Sequence, residues 1–128
     1  MSLRGAATVL GFLAAITAAA QLQPAAAQFM QAMNASMERM DRQMATAPMN
    51  GDVDHDFTAM MIPHHQGAID MAQAELLYGR NEQLRRIAQQ IIVEQQQEIA
   101  AMRLALDQPL PPSAAAPDQQ FAAPTAAP

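Results

Sequence analysis

Only two residues, Gly79 and Arg80, separate two long segments of helical character. A linker that short can only turn the chain back along the helix it has just left. The flanking segments must therefore form an antiparallel helical hairpin. The earlier segment is predicted to start near Asp54, as N-cap, and to run to Tyr78, with Gly79 as its stop. Asp52, Asp54 and Asp56 all suit the positive end of that helix. The later segment is predicted from Asn81, a good N-cap, to Asp107. Its Leu84, Ile87, Ile91, Ile92, Ile99, Met102 and Leu106 make a broad apolar face. Pro63 lies inside the earlier segment, where it removes a backbone hydrogen bond at a cost of about 3 kcal/mol. A kink near Ile62, or a break restarted by Pro63, is expected, and a binding site is one candidate to compensate the strain.

Upstream, Gln28 to Thr46 is predicted as a further helix, and Pro48 with Asn50-Gly51 marks the break after it. Met30, Met33, Met37, Met40 and Met44 recur in steps of 3, 4, 3 and 4, which draws a single seam along that helix. No segment alternates with the period of a strand. The expected fold is all-α: a small antiparallel bundle of three helices, the second kinked at Pro63, over residues 28–108. The chain beyond, 109–128, holds six Pro with Ala and Gln and is expected to be disordered. Residues 1–27 have the pattern of a secretory signal peptide. Arg4 precedes an uncharged 16-residue run, Gly5 to Ala20, and Ala25-Ala26-Ala27 offers small residues for cleavage. That run is short of the roughly 20 residues needed to span a bilayer. The expectation is an exported, periplasmic protein free of the membrane after cleavage.

The folded part, about 80 residues, is marginal for a single-chain core. Self-association into a homodimer, or a bound ligand, would add stability, and the Met seam could serve either. The net charge of −5 argues against nucleic-acid binding. The absence of Cys excludes disulfides, thiolate metal sites and thiol nucleophiles.

The chain nevertheless has 11 Met. Within Met60-Met61-Ile62-Pro63-His64-His65-Gln66-Gly67-Ala68-Ile69-Asp70-Met71, helical spacing puts Met60 with His64, and Met61 with His65, on faces about 100° apart. Met71, seven residues beyond His64, projects from nearly the same face as His64, and Gly67 leaves space beside that imidazole. Thioether sulfur is a soft donor that favours Cu(I), and imidazole accepts Cu(I) and Cu(II). In an oxidising compartment Met keeps a soft ligand available without forming disulfides. Met seams also fill cores, but five successive Met in a helix without Leu, Ile or Val is an odd choice unless sulfur matters. His55, among three Asp, reads equally well as a surface residue of the capping region. Those Asp do not form a calcium loop, because Phe57 and Pro63 occupy the positions that need Gly and Glu. Neither a Glu-x-x-His di-iron pattern nor a hydrolase motif is present, so no enzymatic activity is expected.

Asp56-Phe57, the run Met60 to Met71, Gln95, and Glu98-Ile99-Ala100-Ala101-Met102 resemble the CopM-like family, also called domain of unknown function 305. The resemblance covers about Asp54 to Leu106. It implies an exported copper-binding protein of ferritin-like helical fold, acting in copper resistance or as a metallochaperone. The family's motif residues fall on Met60, Met61, His64, His65 and Met71, and its later Met on Met102.

The expected ligands are thus His64 and His65 through nitrogen and Met60, Met61, Met71 and Met102 through sulfur. The first-helix seam, with Met33, Met37 and Met40, forms a secondary site or shell. Copper, with Cu(I) preferred, is the expected partner, and a second periplasmic copper protein would receive it if it is passed on. Two rival readings are a haem-binding electron carrier with Met and His axial ligands, and a metal-free Met-rich interaction or holdase module. Low aromatic content and the lack of Cys-x-x-Cys-His weigh against the first.

Overall fold

The computed structural model describes residues 7–113, with side chains from Pro24 onward. Three helices account for the fold: α1 (Ala7–Ala45), α2 (Val53–Tyr78) and α3 (Glu82–Ala105). The protein is all-α, and the described residues include no strand. Helix α1 begins well before Gln28 and passes through Pro24 without stopping. The Ala-rich stretch before Pro24 is itself a strong helix former, so composition alone continues the helix upstream. Residues 1–6 of the expected signal peptide and 114–128 of the expected tail lie outside the described residues. Among the described residues no helix is long and apolar enough to cross a membrane.

Helix α2 starts at Val53, and its N-cap is Asp52 instead of Asp54, two residues earlier than expected. The Asp52 carboxylate accepts the backbone N–H of His55 at 2.9 Å, which satisfies one of the free donors of the first turn. The helix continues through Pro63 to Tyr78 without a break. Gly79 ends it in an extended conformation. A left-handed backbone is therefore not what requires glycine there. A Cβ at Gly79 would run into the Glu75 side chain and lie 2.6 Å from the Glu75 carbonyl oxygen. Arg85 reaches back from α3 and donates to the carbonyls of Leu76 and Gly79, so a cation covers the negative end of α2.

Helix α3 is capped as expected by Asn81, whose side chain accepts from the N–H groups of Gln83 and Leu84. It ends at Ala105, two residues short of the expected Asp107. Asp107 adopts a left-handed φ of 53°. The N–H of Gln108 then bonds to the Arg103 carbonyl at 2.8 Å, and that of Asp107 to the Leu104 carbonyl at 3.2 Å. These paired bonds close the last turn. The chain that follows, up to Ser113, lies along a Gln-rich groove beside Gln66, Gln73 and Gln97.

The hairpin of α2 and α3 holds the core. Ile69, Ala72 and Leu76 meet Ala88, Ile92 and Ile99, with Ile62, Ile91 and Met102 packed against them. Helix α1 packs antiparallel on another side of α2, and it makes no close backbone approach to α3. The arrangement is an open layer with α2 in the middle. Ile92 is fully buried. Ile92→Ala is expected to lower unfolding stability by about 3 kcal/mol, measured by urea denaturation. A loss below about 1 kcal/mol would show that the core lies elsewhere.

Candidate metal centre

Because α2 lies between its neighbours, its two sides do different work. Gly67 and Asp70 mark the side that meets α1. A Cβ on Gly67 would stand 2.7 Å from the Met40 sulfur and 3.0 Å from Met40 Cβ and Cγ. Only a hydrogen fits there, and it lets Met40 press onto the α2 backbone. The room that glycine leaves one turn after His64 is thus filled by a thioether from α1. Asp70 accepts from Arg39 of α1 through Nη2 at 2.8 Å and Nε at 3.2 Å, and from Gln66 at 3.0 Å. With Arg39 half-exposed, this pair contributes under about 1 kcal/mol. Met60, His64 and Met71 lie on this same side of α2 by helical spacing. His64 is exposed, while Met60 and Met71 are half-buried.

The Met seam of α1 does not face α2 squarely. Ser36, between seam positions, is the most buried residue of the described part of α1, at 3% exposure. Its hydroxyl donates to the Ala32 carbonyl of its own helix at 2.9 Å. Small residues at the line of contact let the two helices approach closely, and Met flanks that line. Met33, Met40 and Met44 are half-buried, whereas Met30 and Met37 turn toward solvent. Met33 lines a groove of about 350 Å³ together with Met71, Phe29, Leu84, Ile87 and Ile91. Of the three first-helix candidates, Met33 and Met40 therefore meet the α2 motif and Met37 does not.

His65 is turned the other way. Its Nδ1 donates to the Met61 carbonyl at 2.8 Å, and its Nε2 stands 2.7 Å from the Glu98 carboxylate of α3. Both ring nitrogens are thus engaged with oxygen partners. Gln95 also donates to Glu98, at 3.1 Å. The side chain is only 12% exposed. In this conformation His65 ties α2 to α3 through Glu98. Met61 shares its face by spacing, and Met102 packs on the α2–α3 core. The two adjacent histidines have ring centroids 5.9 Å apart, with His65 held against α3 and His64 exposed. Glu98 is not among the sequence candidates, because counting outward from the Gly79-Arg80 turn brings Glu94 opposite His65 and misses it by one helical turn.

Among the described residues no three His, Asp or Glu side chains converge to hold a metal ion. His55, in the first turn of α2, pairs locally, with Nδ1 3.1 Å from the Asp56 carboxylate. That carboxylate also accepts the N–H groups of Asn50 at 2.8 Å and Gly51 at 3.0 Å. Gly51, at φ 89°, turns the chain so that both donors point inward. The Asn50 N–H, and then His55, hold the Asp56 carboxyl below the usual carboxylate range.

Fold and site together define an all-α protein in which sulfur from one helix meets a Met–His motif on the next. The family model for domain of unknown function 305 matches residues 5–106, and the chain belongs to that family. No curated protein matches it.

Because its folded pKa is lowered, Asp56 contributes stability above the ordinary carboxylate value of about 3.9. That contribution is lost as pH falls through the lowered value. Asp56→Asn is expected to melt at a lower temperature than wild type at pH 7, and the gap should close toward pH 3. A gap independent of pH would show that the carboxylate charge plays no part in closing the turn.

Proposed function

We propose that this protein binds copper after export to the periplasm and holds the ion or passes it to another copper protein. The observation that carries this reading is the Met40 thioether of α1 packed on the α2 backbone at Gly67, one turn from the exposed His64. His64, Met60 and Met71 of α2 share a side with Met40, which rests on Gly67, and with Met33, which lines a groove with Met71. A set of thioethers with one imidazole suits Cu(I), and the exposed His64 accepts Cu(II) as well. The resemblance to the CopM-like members of the family and their ferritin-like fold supports the same reading. His65 holds α3 through Glu98, Met61 and Met102 belong to that side, and Met37 is an outer donor at most. The signal-peptide pattern of residues 1–27 supports export, and no catalytic step is part of the proposal.

A second reading, an interaction module, is favoured by the groove itself. Leu84 and Ile87 remain about half-exposed along it, and Met-rich walls adapt to many apolar partners.

An anaerobic Cu(I) competition titration against a chromophoric chelator separates the two. Wild type should compete for at least one ion. His64→Ala should weaken binding at least about tenfold, the loss of one good ligand. His65→Ala should lower the melting temperature and leave Cu(I) affinity within about twofold of wild type. Unchanged affinity after replacing both histidines would sink the copper site proposed here. Metal-independent binding of apolar peptides that survives those substitutions would favour the interaction module.

A further inference from the structure

The three helices are not equally anchored. Every member of the hydrophobic core comes from α2 or α3. Ser36, the one fully buried side chain described in α1, spends its hydroxyl on its own helix. Among the described residues, α1 is joined to α2 by a half-exposed ion pair, Arg39 with Asp70, by Met40 on Gly67, and by Met33, which lines a groove with Met71. Those residues show no close backbone approach of α1 to α3. A helix whose described side chains add none to the apolar core belongs toward the low-stability end of a protein's local unfolding equilibria.

The same thioethers are the ones that would reach a metal from the α1 side. An ion bound by Met33 or Met40 together with His64, Met60 or Met71 is bonded to both helices at once. Its binding free energy is then also docking free energy for α1. We propose that copper is the clasp of α1: the loaded protein holds α1 firmly on α2, and loss of the ion loosens it and opens the Met71 side of the groove. This inference rests on the copper reading above and adds a conformational consequence to it. It supplies a physical route for release, because anything that pulls α1 away weakens copper binding by the same factor that copper tightens α1. The α2–α3 hairpin, with its own core and the His65–Glu98 tie, stays folded in both states.

The test is amide hydrogen exchange on the purified protein, anaerobically, with and without Cu(I) held at a fixed free concentration by a chelator. Amides of residues 28–45 should exchange at least about tenfold more slowly with Cu(I), while those of residues 86–99 change little. The double variant Met33→Leu with Met40→Leu keeps side-chain volume and helix propensity but removes the sulfur. It should retain weaker copper binding through α2 and lose the copper-dependent protection of α1. Copper that binds without slowing exchange in α1, or protection that persists in full in the double variant, overturns the clasp and leaves copper binding intact. Failure of the wild type to bind Cu(I) at all overturns the copper reading, and the clasp with it.

Discussion

The apolar seam between α2 and α3 is the interaction on which the other contacts depend. It fixes the rotation of α2 about its own axis, because Ile69, Ala72 and Leu76 must face Ala88, Ile92 and Ile99. Once that rotation is set, the remaining sides of α2 have no freedom. His65, between Ile62 and Ile69 in helical order, is carried to α3 and finds Glu98 at 2.7 Å. His64, one residue earlier, is rotated by about 100° and is left outside the seam. A pair of identical side chains is divided by the packing of their hydrophobic neighbours.

Much of this frame can be read from the sequence, because short-range rules govern it. The two-residue linker demanded a hairpin, and α2 and α3 form one. Asn81 caps α3 because its side-chain oxygen reaches the N–H groups two and three residues on, a local property that the sequence carries in full. The cap of α2 was misplaced by two residues for an equally local reason. Asp52, Asp54 and Asp56 are all acceptable caps, and the choice is made by the turn before them. Asp56 is committed to the Asn50 and Gly51 N–H groups, which places Asp52 where it can accept from His55.

The site was legible only in part, because its assignment depends on which face meets which helix. Spacing puts Met60, His64 and Met71 together and Met61 with His65, and the packing sends His65 to α3. It could not say which group faces α1. The role of Gly67 shows the limit well. The residue had to be small, and the sequence suggested room beside an imidazole. A partner helix 27 positions away in number, presenting Met40, uses that room. The α1 seam fails in a similar way. A repeat of 3 and 4 identifies a stripe but not its centre, and close approach selected Ser36 over the larger thioethers as the line of contact.

On the copper reading, helix α2 serves two requirements that would conflict on a single face. A stable core needs branched apolar side chains that pack in defined rotamers, and Ile and Leu supply them toward α3. Soft-metal binding needs polarizable sulfur on side chains loose enough to turn toward an ion, and Met supplies that toward α1. Putting both on one seam would cost either packing or donor mobility. Separating them leaves the described part of α1 outside the apolar core of the hairpin. On the clasp proposed above, that makes α1 the helix whose position a bound ion would control, since a helix locked by its own core would have nothing left to gain from a ligand.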